Sequence, residues 1–416
     1  MLSRNADEIQ RRAGRAIQIT TVADKAVEFA RKKVGKKARV VADAFEVVRA
    51  KDIDIVIELI GGYTVAKELQ LEAIKHGKHV VTANKALLAT HGNEIFKAAQ
   101  KKGVMVAFEG AVAGGVPIIK ALREGLSANR IEWIAGIING TSNFILSEMR
   151  EKGLAFDAAL KDAQKRGYAE ADPTFDIEGV DAAHKLTILS ALAFGVPMQF
   201  AKCYREGIQS LTQQDIGYAE QLGYRIKLLG ITRRAKKGIE LRVHPTLVPT
   251  RRLIANVEGV MNAILVKGDA VGPTLYYGAG AGAQPTASAV VADLVDVTRL
   301  ITADPEHRVP HLAFQPDQLS NTPVLPIEDV ETSYYLRMRV ADRPGVLADI
   351  TRILADCRIS IESMVQKQQV TGKREVDIVF LTHRAIERDV NAAIKKMGKL
   401  KTVLGSIVRI RQESLL

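Results

Sequence analysis

The chain has few of the residues that build redox or metal centres. Its 416 residues hold two cysteines, Cys203 and Cys357, which stand far apart and in no metal or redox motif. They read as isolated thiols in a reducing compartment, which excludes a disulfide-stapled secreted fold and points to the cytoplasm. His79, His184 and His244 show no metal-ligand spacing and read as packing or surface residues. Aromatics make up 5% of the chain, with one tryptophan. Basic clusters such as residues 31–37 and 232–237 therefore lack the aromatic interleaving of a single-strand nucleic-acid binder. No apolar run is long enough to cross a bilayer. The start, MLSRNADEIQRRAGR, lacks the apolar stretch of a secretory signal. Neither a membrane nor a nucleic acid is an expected partner, and the net charge of +12 reads as solvated faces that also attract anionic cofactors.

What is present is enough apolar residue, 47%, to bury a large core in two or three domains. Residues 1–14 read as a helix stopped at Gly14. AIQITTVAD (16–24), KARVVAD, DIDIVIELIGG (52–62), KHVVTANK and VMVAFEG then read as strands, with TVAKELQLEAIKHG and GNEIFKAAQKKG as helices among them. This alternation predicts an α/β fold, a Rossmann-like doubly wound sheet whose ligands bind at the carboxyl ends of the strands. Gly61, Gly62, Thr82, Asn84 and Lys85 fall at such ends. One expected part is missing, the opening strand and G-x-G-x-x-G loop that hold a pyrophosphate. Residues 17–24 read as the second strand of such a sheet. A sheet without its first strand is expected to expose an unpaired edge and to hold a dinucleotide poorly, and the natural chain is expected to start further upstream.

Residues 106–277 alternate longer helices with strands and predict an α+β substrate and dimerisation domain. Residues 278–301, which include the helix ASAVVADLVDVTRLI, are expected to complete the nucleotide domain of residues 1–105. Residues 302–332, containing PDQLSNTPVLPIED, read as a linker. The tail, 333–416, reads strand, helix, strand, strand, helix, strand, the order of a separate ferredoxin-like module.

The chemistry concentrates in GYAEADPTFDIEGVDAAHKLTIL (167–189). It gathers Glu170, Asp172, Asp176, Asp181 and Lys185 where a loop becomes a helix. Asp181 and Lys185 are four apart and project from one helix face. Acids converging on a lysine suit an amine-bearing substrate and a proton donor. From spacing alone, an ordinary ion pair on a solvated helix start explains them as well. Asp172 precedes Pro173 and reads as a turn former. FEGAVAGGVP offers inward carbonyls at Val112, Gly114 and Val116 beside Glu109, which suits a small cation or a bare loop. GAGAGAQPTAS (278–288) permits close backbone approach. NGTSN supports no nucleophile–base arrangement.

These blocks, with HVVTANKALLA (79–89), FEGAVAGGVPIIKALREGL (108–126), AGIINGTSNFIL (135–146) and YYGAGAGAQPTASAVVADL (276–294), occur in one order that resembles the homoserine dehydrogenases from end to end. The resemblance implies an NAD- or NADP-dependent oxidoreductase interconverting L-aspartate 4-semialdehyde and L-homoserine, in threonine, methionine and isoleucine synthesis. It implies Lys185 as proton donor, with Lys85 competing for that role and touching the nicotinamide ribose and the substrate. It implies that Glu170 and Asp181, with Asp176 nearby, bind the substrate. It implies that Gly280 and Gly282 meet the cofactor, which Gly61, Gly62 and Thr82 at the strand ends are also expected to bind, and that the carbonyls of Val112, Gly114 and Val116, with Glu109 close, hold sodium. Asp24 suits an NAD ribose, while nearby lysines and arginines suit an NADP phosphate. The tail, through DRPGVLADIT, resembles ACT regulatory modules. Asp342, Arg343, Gly345 and Val346 would hold an amino acid, with L-threonine expected, in a homodimer or homotetramer. Its alternative is an assembly module with an empty turn. The alternative for the whole chain is an amino-acid-sensing binding protein on an inactive dehydrogenase scaffold.

Overall fold

The computed structural model describes residues 1–366 and 375–415. They divide into two compact units. One comprises Met1–Ile134, Asp181–Ala201 and Met261–Thr322, and the other Ala135–Val180, Lys202–Val260 and the chain from Pro323. No helix of the described residues is long and apolar enough to cross a membrane.

The first unit is built on short apolar strands. Ile55–Glu58, His79–Thr82 and Val106–Ala107 pair in parallel in that order. Parallel neighbours need long crossovers, and the helices Val65–Lys75 and Lys85–Lys102 supply them. The helix Ala283–Leu300 packs Val290, Leu294 and Val297 against Val81 and Ala107. The first helix, Ala6–Ala13, stops at Gly14 in the left-handed region (φ 78) and buries Ile9 and Ala13 against Val295.

Two expectations need correction. The strand expected over residues 16–24 is only Thr21–Ala23, which pairs with Arg39–Val41 in a sheet of its own. The expected single sheet is therefore two among the described residues. There, Ile55–Glu58 pairs on one side only, and an apolar groove of about 400 Å³ runs past Leu2, Ile57, Leu59, Ala287, Val290 and Leu294. VMVAFEG is extended only at Val106–Ala107, because a turn of 3-10 helix begins at Glu109.

In the second unit Tyr224–Ala235 and Gly238–Pro249 form a long antiparallel hairpin. Val408–Gln412 pairs in parallel with its second strand, Arg411 opposite Thr246. Glu331–Ala341, Glu375–Thr382 and Ile361–Gln366 continue the same sheet in that order. With the helices Val346–Asp356 and Glu387–Met397, the tail has its expected ferredoxin-like order, over a core of Tyr334, Leu336, Met338, Ile350, Leu354 and Phe380. The last two residues of the strand expected as ISIESMVQKQ, Lys367 and Gln368, lie outside the described residues.

The tail was expected to stand apart, yet buried charge ties it to residues 202–260. Alternation along Gly238–Pro249 puts Glu240, Arg242 and His244 on one face. Arg242 reaches Glu240 at 2.8 Å and Glu413 at 2.5 Å. Arg411 is held by Glu387 (2.5 Å) and Glu206 (2.8 Å), and Arg337 by Asp215 (2.6 Å). Burial, then the Arg411 and Arg242 charges, keep His244 neutral by pushing its pKa well below the usual range. Arg242 Nη1 accordingly lies 2.7 Å from His244 Nε2, which accepts, while Nδ1 donates to the Pro245 carbonyl at 3.0 Å.

Burial alone would raise the Glu413 carboxyl, but the Arg242 and Arg233 guanidiniums prevail and lower its pKa from 4.5 to about 2. A depressed carboxylate adds stability above its unfolded pKa and loses it as pH falls through the folded one. Glu413→Gln is expected to cost about 3 kcal/mol at neutral pH, as when a buried pair loses a partner. The gap to wild type should narrow below pH 4.5 and close near pH 2. Denaturant unfolding at several pH values measures it, and a gap independent of pH contradicts the pairing.

Candidate active site

The strand Ile55–Glu58 ends in an acid, and that acid is buried. Glu58 Oε1 accepts from the amides of Ile60 (2.9 Å) and Gly61 (3.1 Å). Its Oε2 accepts from Thr82 Oγ1 (2.9 Å) and Gln70 Nε2 (2.8 Å). One carboxylate thus shapes the turn after its own strand and ties it to the end of the next. Gly61 and Gly62 in that turn have φ of 72° and 76°, where a side chain would be strained. Asn84 closes the arrangement. Its Nδ2 donates to the Gly62 carbonyl (2.9 Å), while Oδ1 accepts from Leu87 N (3.1 Å) and caps the helix Lys85–Lys102.

Two expectations shift here. Lys85 is the first residue of a helix, not a strand tip. Thr82, expected to face the cofactor, is fully buried, its hydroxyl donating to Glu58 and accepting from Asn84 N at 3.0 Å.

The helix Val180–Phe194 carries Asp181 and Lys185 one turn apart. Lys185 Nζ donates to Asp181 Oδ2 at 2.7 Å, and Lys85 Nζ lies 3.1 Å from Asp181 Oδ1. The two lysines therefore grip opposite oxygens of one carboxylate. The side chains of Asp181 and Lys185 are only 4% and 9% exposed, which rules out a solvated pair at a helix start. Lys85 is 37% exposed. A cation at a helix N-terminus opposes the helix dipole, and Asp181 offsets that cost. His184 is a packing residue, its ring 4.2 Å from that of Phe200.

Glu170 and Asp176 belong to the second unit. Glu170 is exposed, and its carbonyl accepts from Gln164 Nε2 at 3.1 Å. Asp172 is the turn former expected, Oδ1 accepting from Thr174 N at 3.1 Å. Asp176 is half-buried and accepts from Asn139 Nδ2 at 2.7 Å. Asn139, Glu58 and Gln70 carry weight that sequence reasoning missed. An acid ending an apolar strand, an amide on a buried helix face and an Asn before a helix were the available signals.

The loop at 112–116 packs on the glycine run. Gly115 N donates to the Ala279 carbonyl at 2.9 Å, and a Cβ at Gly115 would meet that oxygen at 2.6 Å. A Cβ at Gly280 would overlap Asn262 Oδ1 at 1.7 Å, and Gly282 has φ 121. These glycines are therefore demanded by chain packing and backbone conformation. Both Glu109 oxygens accept from helix amides, those of Ile119 and Lys120, at 2.9 Å each. Burial raises the Glu109 pKa, and burial followed by the Glu109 charge raises Asp293 to about 8. In the tail, Asp342 and Arg343 are exposed at the turn and Gly345 has φ 93. The Val346 side chain packs in the module's core, so only its amide remains for a ligand.

Known proteins match along the whole chain. Family models described as the homoserine dehydrogenase NAD-binding domain, homoserine dehydrogenase and the ACT domain match residues 2–109, 117–295 and 334–402. A homoserine dehydrogenase of Pseudomonas aeruginosa is 61% identical over 419 residues, spanning 100% of this chain and 95% of that relative. The chain belongs to the homoserine dehydrogenase family. One from Neisseria gonorrhoeae is 60% identical with the same coverage. The crystal structure of a homoserine dehydrogenase from Thiobacillus denitrificans superposes with a TM-score of 0.95 at 69% identity, over 100% of this chain and 94% of that one.

The activity is that of an NAD(P)-dependent oxidoreductase acting on a CH–OH group, interconverting L-aspartate 4-semialdehyde and L-homoserine in amino-acid biosynthesis. The sensor on an inactive scaffold is not favoured, because full-length similarity runs to relatives named for the enzyme. The glycine turn at 61–62 and Asn84 lie at the carboxyl ends of parallel strands, where such folds bind dinucleotides. They fit the nicotinamide cofactor.

Proposed function

We propose that Lys185 is the proton donor to the substrate aldehyde oxygen and takes that proton back in the reverse direction. What supports this is its burial beside Asp181, whose carboxylate accepts from Lys185 Nζ at 2.7 Å and fixes the ammonium group at one place. The bound cofactor, NADP or NAD, supplies or takes the hydride. Lys185 then meets the negative charge that develops on oxygen. Lys85, held on the other Asp181 oxygen and more exposed, positions the nicotinamide ribose and the substrate. Asp181, Glu170 and Asp176 take the substrate's ammonium. The carbonyls of Val112, Gly114 and Val116 hold a monovalent cation, sodium, whose charge would ease the burial of Glu109 and Asp293.

Lys185→Ala is expected to lower kcat about a hundredfold or more, the usual scale for losing a positioned acid, with little change in homoserine KM. Lys85→Ala is expected to act more on cofactor or substrate KM. Steady-state kinetics on the two variants checks this, and a Lys185→Ala enzyme with wild-type kcat overturns the assignment.

The tail takes an effector amino acid, L-threonine, in an assembly of two or four subunits. Support comes from the exposed turn at Asp342 and Arg343, with the amides that follow Pro344 opening a helix. Threonine inhibition is expected to vanish in Gly345→Asp, which forces a side chain into a left-handed position and repels a carboxylate, while catalysis persists. Titration of both enzymes with threonine, methionine and isoleucine, followed by activity and calorimetry, checks it. No binding by any of the three contradicts the regulatory reading.

A further inference from the structure

The NGTSN turn, which offered no catalytic arrangement in sequence, holds the segment bearing Glu170 and Asp176 at both ends. Strand Ile131–Ile137 delivers it and the helix Gly140–Lys152 follows. Thr141 Oγ1 donates to the Tyr168 carbonyl at 2.7 Å. Ser142 Oγ donates to the Asp176 carbonyl at 3.0 Å. Between these two anchors lies the run from Tyr168 to Asp176. Gly140 lets the helix start approach its neighbour, since a Cβ there would meet the Val260 carbonyl at 2.7 Å. Asn143 Nδ2 reaches the carbonyls of Val257 (3.1 Å) and Gly259 (2.9 Å), which pins the turn from its other side.

Asn139 does two things at once. Its Oδ1 accepts from Ser142 N at 2.8 Å and caps the helix. Its Nδ2 donates to Asp176 Oδ1 at 2.7 Å. The cap fixes the carboxamide in one orientation, so the amide nitrogen has no freedom to leave the carboxylate. Asn139 is itself only 5% exposed. We propose that Asn139 is a positioning residue for the reaction: it holds the Asp176 carboxylate in the orientation that receives the substrate's ammonium. A neutral donor is required. A cation would neutralise the carboxylate meant for the substrate, and a second carboxylate would repel it. The inference rests on the reading of Asp176 as a substrate ligand.

Two substitutions separate the cap from the positioning. Asn139→Ser keeps a capping oxygen but lacks the amide donor, and Asn139→Asp keeps the cap, as Asp and Asn serve about equally there. Both variants are expected to unfold within a few degrees of wild type. Both should raise homoserine KM roughly tenfold, the scale of one lost hydrogen bond to a charged group, with kcat changed severalfold less. Asn139→Asp adds a signature that a merely structural role would not produce. Its carboxylate and that of Asp176 share a proton at lower pH, so the KM defect should shrink as pH falls, while that of Asn139→Ser should not.

The experiment is a pH series of homoserine KM and kcat for wild type, Asn139→Ser, Asn139→Asp and Asp176→Asn, with melting curves for each. A raised KM in Asp176→Asn and both Asn139 variants, with the pH-dependent recovery confined to Asn139→Asp, supports the inference. A raised KM in Asp176→Asn alone overturns it while leaving the substrate reading intact. An unchanged KM in Asp176→Asn overturns the substrate reading, and the inference with it.

Discussion

The Asp181 carboxylate, shared by two lysines, is the constraint on which the proposed reactive centre depends. Two ammonium groups brought to one carboxylate repel each other, and the carboxylate between them offsets that repulsion, most of all for the buried Lys185. One carboxylate with a lysine on each oxygen leaves a single net positive charge, the sign required where negative charge grows on a substrate oxygen. The two lysines come from helices nearly a hundred residues apart in sequence, so Asp181 also fixes their separation.

Around that group the chain spends polar side chains on placing backbone. Glu58 holds a glycine turn and the next strand's end, and Asn84 ties that turn to the helix whose first residue is Lys85. The second unit repeats the strategy on a different scale. Arg242, Arg411 and Arg337 each meet a carboxylate across the seam between residues 202–260 and the tail. Buried pairs of this kind add little net stability but penalise any arrangement that separates the partners. The seam therefore favours one registration of the tail on the long hairpin.

Much of this was legible in sequence. Four-residue spacing put Asp181 and Lys185 on one face, Gly14 ended its helix, and Asp172 before Pro173 made its turn. The partners of Glu240 and Arg242 were not legible, because Glu413 lies 171 residues away from Arg242. Distance in sequence hid Asn139 in the same way, since Asp176 is 37 residues on. Local pattern likewise misread residues 16–24. Alternating apolar residues mark a strand only where a neighbour supplies hydrogen bonds, and the bonds to Arg39–Val41 reach from the Thr20 carbonyl to the Asp24 amide. Val346 reads as part of a binding turn until its side chain is seen in the core.

The claim that Asp181 acts through the lysine it holds is tested most directly by a double-mutant cycle in kcat over Asp181→Asn and Lys185→Ala. If the carboxylate serves to place and charge Lys185, the double variant should be about as slow as the slower single variant, as groups acting as a unit are strongly non-additive. Losses that multiply, each substitution slowing the enzyme by the same factor whether or not the other is present, would contradict the account.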